Sequence, residues 1–396
     1  MFEAIQKLPP DPILGLSSAF EADPNPDKVD LGAGVYKDEA GITPIFKSVK
    51  EAERRWEQQE STKVYISPPG FADFNTAIQK LILGADHPAL LAGRVRSVMT
   101  PGGCGALRVG AELINRCKPG ATIWVSKPTW ANHVPLLGSA GLKIAEYPYY
   151  NGATHSVDFA AMVATLESAA RGDLLLVHGC CHNPTGADLN RKQWDAVTEL
   201  AARKGLVPFV DLAYQGLGDG LDEDAYGPRT LSRALPELLL AYSCSKNFGL
   251  YRDRIGALLT VSPTPEQADA GITHINSIAR GIYSMPPSHG GALVKTVLND
   301  PALYAQWRGE VDGMRKRIHV LRALLADTLK KLGPSRDFEF IKREFGMFSF
   351  LGISKEQVQR LRSEYSIYMV DSSRINVAGV SPKNVEYLAQ AIIAVL

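Results

Sequence analysis

Leu238-Leu239-Leu240-Ala241-Tyr242-Ser243-Cys244-Ser245-Lys246-Asn247-Phe248-Gly249 is an apolar run that ends on a lysine among small hydroxyl residues. Leu238–Ser243 reads as a strand covered on both faces, the kind found in parallel sheets. Alone, a lysine after such a strand is a solvated loop residue. Its neighbours change that reading. Val210-Asp211-Leu212-Ala213-Tyr214 is a second strand ending in an acid, and Arg254 follows the lysine by eight residues. Lys246 offers an amine for a Schiff base, Asp211 a carboxylate for a pyridinium nitrogen, and Arg254 a cation for a phosphate. Together they fit pyridoxal phosphate.

Around this stretch, from about residue 95 to 262, short β-rich runs alternate with longer helical ones. The strand candidates are Val95–Met99, Thr122–Val125, Lys143–Tyr147, Leu174–Val177, Val207–Asp211, Leu238–Ser243 and Ile255–Val261. Amphipathic stretches such as Ala106–Arg116 and Arg191–Lys204 fall between them. The alternation predicts an α/β fold with a mostly parallel seven-stranded sheet between helices. After Pro301 the pattern becomes a long helix to Lys331, short strands at Phe338–Ile341, Met347–Phe350 and Ile367–Val370, and a last helix at Pro382–Val395. We therefore expect a large domain over residues 46–300 and a smaller α+β domain from residues 13–45 and 301–396. Residues 1–12, with Pro9, Pro10 and Pro12, read as an extended arm suited to packing on a second subunit.

Bulk properties narrow the function. The 396 residues carry 43 basic and 42 acidic side chains, a formal net charge of +1, so no field of one sign draws nucleic acid or an anionic membrane. No apolar stretch approaches the roughly 20 residues that span a bilayer, and the N-terminus lacks a secretory pattern. Five cysteines make no disulfide framework. They read as buried, reduced thiols of a cytoplasmic protein. Cys180-Cys181-His182 invites a metal reading, but no second ligand pair stands at zinc-like spacing, so no metal is expected.

Further pieces of chemistry lie at strand ends. Thr100-Pro101-Gly102-Gly103-Cys104-Gly105-Ala106 links a strand to a helix, where glycines let backbone N–H groups approach an anion; taken alone it is a weak signal, since such turns are often just tight turns. It is not a dinucleotide fingerprint, because Arg108 occupies the third glycine position. Tyr214 and Asn183, the latter in His182-Asn183-Pro184-Thr185-Gly186, are placed to donate to a cofactor phenolic oxygen. Trp130 follows a strand and offers a ring for stacking. Arg374, in Ser373-Arg374-Ile375-Asn376, suits a carboxylate or a structural ion pair.

LGAGVYKDE, TPGGCGALRVGAELI, HGCCHNPTGADL, DLAYQG, SCSKNFGLYRDRIGA and RINVAG, in this order and spacing, resemble the class I aminotransferases, and most of all the aspartate and aromatic amino acid aminotransferases. The likeness extends from Phe2 to Leu396. It implies the fold-type-I architecture of pyridoxal-phosphate-dependent transferases and an obligate homodimer with shared active sites. It implies that Lys246 binds the cofactor covalently and then shuttles the proton. Asp211, backed by His133, meets the ring nitrogen; Trp130 stacks; Asn183 and Tyr214 hold the phenolic oxygen. Gly103, Cys104, Ser243 and Arg254 bind the phosphate, with Tyr65 from the neighbouring subunit. Arg374 takes the substrate α-carboxylate with Trp130, Asn183 and Gly34, and Arg280 of the neighbouring subunit meets a dicarboxylate side chain.

The sequence departs from the family pattern at three positions. Cys104 replaces the usual threonine or serine, and a thiol is a poorer donor. Val64 and Met285 stand where aspartate-selective relatives carry asparagine, which favours an aromatic side chain. Lys37 and Arg280 keep the aspartate-type pattern. The expectation is transfer of the amino group of aspartate, phenylalanine or tyrosine to 2-oxoglutarate or oxaloacetate. A strictly aspartate-selective enzyme and a lyase on the same cofactor are the alternatives.

Overall fold

The computed structural model describes residues 2–7, 14–333 and 336–396. Pro9, Pro10 and Pro12 lie outside the described residues. The central sheet has seven strands: β1 (Val95–Pro101), β2 (Thr122–Lys127), β3 (Lys143–Pro148), β4 (Leu174–His178), β5 (Val207–Leu212), β6 (Leu238–Ser243) and β7 (Ile255–Val261). Their spatial order is β1-β7-β6-β5-β4-β2-β3. All neighbours are parallel except at β7, which runs antiparallel to both β1 and β6.

The apolar runs are covered on both faces because successive side chains point to opposite sides. On β4, Leu174 and Leu176 join one buried cluster and Leu175 and Val177 another. Helix α1 (Gly102–Cys117) and helix α2 (Pro265–Ile282) lie on the first face, and α3 (Ala72–Leu83) with α4 (Arg191–Lys204) on the second. Helix α5 (Pro301–Leu332) enters the same core through Leu303, Trp307, Val311, Met314 and Ile318. Its later residues Leu321, Leu325, Ala326 and Leu329 belong to a separate core with Val358, Ile375 and Leu388. Early and late chain meet there, since Val29–Asp30 pairs in parallel with Ile367–Tyr368.

Three expectations need correction. Phe338–Ile341 is not a strand: Glu339–Arg343 forms a 3-10 turn. The buried Phe338 and Phe340 around the less buried Glu339 mimic strand alternation, but the Asp337 carboxylate accepts from Glu339 N at 2.8 Å and folds the chain back. Cys117 is exposed rather than buried, because it ends α1 at the surface. The last helix begins at Val385, after a turn over Ser381–Asn384. Among the described residues, no helix is long and apolar enough to cross a membrane.

Candidate active site

Sheet register decides which side chains meet. His178 and Asp211 are partners across β4 and β5. Ser243 ends β6 opposite Gly256, and Pro101 ends β1 opposite Ile255. Because β7 runs the other way, Arg254, just before it, reaches the same edge as the ends of β1, β4, β5 and β6. Ligands of open α/β sheets bind at this carboxyl edge.

A cavity of about 150 Å³ lies there. It is bounded by Gly103, Cys104, Trp130, Asn183, Asp211, Tyr214, Ser243, Lys246 and Arg254, each of them singled out above from the sequence. His178, Ser245, Ala213 and Leu107 complete the lining and were not singled out. Position alone could have revealed His178, which ends a buried strand beside Asp211.

Asp211 Oδ2 lies 3.0 Å from His133 Nε2, and His133 Nδ1 lies 2.7 Å from Thr129 Oγ1. With Asp211 ionised, Nε2 donates to the carboxylate and Nδ1 accepts from the threonine hydroxyl. Burial pushes the Asp211 pKa up, but the His133 hydrogen bond, the neighbouring histidines and Lys246 outweigh it and hold the group below its usual value. Lys246 is depressed, chiefly by burial and also by Arg254, while Asp211 pulls the other way. Its Nζ lies 5.0 Å from the centre of the Tyr214 ring. Burial, then the charge of His133, drops His178 to about 3, and neither of its ring nitrogens has a hydrogen-bond partner.

At the other end of the cavity, α1 begins at Gly102 with φ of +68°. A Cβ there would stand 2.4 Å from Arg254 Nη2, so only glycine allows the guanidinium to lie against the helix start. Cys104 Sγ accepts from Asn132 Nδ2 at 3.2 Å, and burial raises its pKa. Helix N-terminal N–H groups, two serines and an arginine form a cradle for a dianion.

Arg374 is 5% exposed and has no acidic partner among the described residues. Its Nη2 donates to Gly32 O at 2.9 Å, its Nη1 approaches Asn183 Oδ1 at 3.4 Å, and its Nε has no partner. The guanidinium lies 4.4 Å over the Phe348 ring, a contact not foreseen from the sequence. Gly34 stands beside that same ring, where a Cβ would come within 3.4 Å of it. Lys37 is engaged with Asp30 at 2.7 Å.

Tyr65, Val64 and Arg280 are not brought to the cavity. Tyr65 is 86% exposed, Val64 is exposed beside it, and Arg280 donates to Ser284 Oγ near the end of α2 at 3.2 Å. Met285 is half-buried just beyond.

The family model for aminotransferase class I and II matches residues 26–392. Aspartate aminotransferase of Haemophilus influenzae is 47% identical over 396 residues, covering 100% of both chains. Aromatic-amino-acid aminotransferase of Pseudomonas aeruginosa is 46% identical over 391 residues, 99% of this chain and 98% of that one. The structure of aromatic-amino-acid aminotransferase from Burkholderia pseudomallei, covalently bound to pyridoxal phosphate, superimposes with a TM-score of 0.98 at 42% identity, covering 100% of this chain and 99% of the other. With the family model matched over residues 26–392 and relatives this similar over their full length, the chain belongs to the class I and II aminotransferases.

Proposed function

We propose that this enzyme is a homodimeric, cytoplasmic transaminase that moves the amino group of aspartate or an aromatic amino acid to 2-oxoglutarate or oxaloacetate in two half-reactions, using pyridoxal phosphate. The residues fit the cofactor. A dianionic phosphate suits the start of α1 with Arg254, a protonated ring nitrogen suits Asp211, and Lys246 supplies the amine. When bound, the cofactor supplies an aldehyde carbon for the amino group and a protonated ring that takes up electrons as the Cα–H bond breaks.

Each residue then has a defined task. Asp211, steadied by His133, keeps the ring nitrogen protonated. Asn183 and Tyr214 hold the phenolic oxygen, and Trp130 covers the ring. Arg374 grips the substrate α-carboxylate and so orients the Cα hydrogen towards Lys246. Lys246, its pKa lowered chiefly by burial, would take that proton and return it two bonds away, at the cofactor's aldehyde carbon. Tyr65 and Arg280, exposed on this chain, serve the cavity of a second copy, Tyr65 at the phosphate and Arg280 at a substrate side-chain carboxylate. Apolar Val64 and Met285 make room for an aromatic ring in the same place.

One observation carries the reading: Arg374 is a buried cation with no carboxylate partner among the described residues, on the flank of a cavity that holds a buried lysine and a buried aspartate. Half-reaction kinetics test it, following the cofactor absorbance of the purified holoenzyme with aspartate, glutamate, phenylalanine and tyrosine in turn. Comparable conversion by aspartate and an aromatic amino acid supports dual specificity. Conversion by aspartate and glutamate alone makes it a plain aspartate aminotransferase. No conversion with any of them would sink the transaminase reading.

A further inference from the structure

The geometry points to a second site, independent of amino transfer: Cys180, Cys181 and Asp224 bind one thiophilic divalent cation of the zinc class. Sequence spacing offers these cysteines no partner ligand, yet folding supplies one. The segment after β5 turns back and carries Asp224 to the end of β4. The sulfurs of Cys180 and Cys181 and a carboxylate oxygen of Asp224 all lie within 4.8 Å of one another. Zinc bonds of about 2.3 Å to sulfur and about 2.0–2.2 Å to oxygen require ligand atoms roughly 3–4 Å apart. Only a small inward movement separates the cluster from that geometry.

The thiols themselves are the second observation. Cys180 is 6% exposed and Cys181 2%. Among the described residues, neither thiol hydrogen-bonds outside the pair. Cys180 nonetheless faces a cavity of about 240 Å³, distinct from the cofactor cavity. Four carboxyl groups line it, those of Asp188, Asp219, Glu223 and Asp224, against the guanidinium of Arg191, with the buried Arg322 guanidinium acting on Cys181 from outside the lining. Such a wall favours a cation and leaves room for a water as fourth ligand.

The ligand atoms are also held in place. Asp224 Oδ2 accepts from Gly216 N and Gly218 N at 2.8 and 2.9 Å, and its Oδ1 accepts from Asp219 N at 2.8 Å. Asp188 accepts from Cys181 N and His182 N at 2.6 and 2.7 Å, which fixes the backbone that bears the thiols. On ligation each thiol releases its proton to solvent as a sulfur–metal bond forms, and no electron is transferred. His182 takes no part, since its ring nitrogens are engaged by Ser126 and Thr185. His133, His178 and Asp211 form another close group, but His178 and Asp211 line the cofactor cavity, His133 is bonded to Asp211, and the group contains no sulfur.

The test uses reduced holoenzyme titrated with Cd²⁺, reading the ultraviolet thiolate-to-cadmium charge-transfer band, with Zn²⁺ measured by equilibrium dialysis. One ion per chain is expected. Cys180→Ser should abolish the band and weaken Zn²⁺ by at least about 100-fold, more than loss of an outer partner costs. Cys117→Ser, which removes the exposed thiol, should leave both unchanged. An absent band, or one that survives Cys180→Ser, overturns the site. Should Cys180→Ser fail to fold, Cys181→Ser serves in its place. Proton release on the unaltered chain is a further check: about two protons per Zn²⁺ are expected, and none would overturn the proposal.

Discussion

Arg374 concentrates the chemistry of the site in one side chain. A buried guanidinium is costly unless a planar partner shares its charge. Its fork can form two parallel bonds with a substrate carboxylate, while a lysine offers a point charge. Arg374→Lys is therefore expected to lower kcat/KM for aspartate and phenylalanine alike by about 2–3 kcal/mol, roughly 30–160-fold. Equal loss for both substrates in steady-state assays would identify the α-carboxylate; loss confined to aspartate would assign Arg374 to the side chain instead. At the phosphate cradle, Cys104→Ser exchanges a weak donor for a better one. Cofactor dissociation should slow by up to about tenfold, from the roughly 0.5–1.5 kcal/mol of one hydrogen bond. Lys246, Asp211 and Arg254 were legible from the sequence because each is a charge within or just beside an apolar strand. Phe348 was not, since an aromatic in a short strand has no local signature of the arginine it supports.

At the level of elements, the start of α1 shows how a backbone angle sets a binding site. Gly102→Ala places a methyl against Arg254 at a positive φ. The guanidinium must move, so cofactor affinity is expected to fall while the sheet stays intact; titration of the apo chain with pyridoxal phosphate, alongside circular dichroism, checks both halves. Trp307 of α5 stacks on Phe248 at 4.5 Å and donates to Asn247 O at 2.7 Å, directly beside Lys246. Trp307→Ala should cost about 3–5 kcal/mol in denaturant unfolding. A smaller loss would mean that the surrounding core closes over the gap. The inner strands β4, β5, β6 and β7 could be read because both their faces are buried and their runs are largely apolar, whereas the edge strand β3 is mostly uncovered and was read from its alternation with helices. The turn at Glu339–Arg343 could not, because three buried apolar residues look alike in a strand and in a tight turn, and the Asp337 carboxylate that bonds Glu339 N ahead of it is a single short polar side chain.

Over the whole molecule, stability and organisation depend on groups far from the cavity. His87 is fully buried, with Nδ1 accepting from Ala89 N at 3.2 Å and Nε2 3.1 Å from Ser232 Oγ. Burial first, then the Arg233 charge, holds its pKa below the ordinary value. The unfolded chain, with a histidine near 6.5, then binds the extra proton as pH falls. Stability from this group is present above about pH 6.5 and is lost on acidification towards the lower folded value. His87→Asn keeps a capping acceptor for Ala89 and should flatten that fall; equal urea midpoints against pH in both proteins would show that His87 plays no part. Helix α5 has the widest reach of all. Its 32 residues extend about 48 Å, with Trp307 and Ile318 in one core and Leu325 and Leu329 in the other. Neither core can come apart without stripping half of a helix the other still needs. The two should therefore melt in one cooperative step, a single calorimetric peak, and damage to either should lower the temperature at which both are lost.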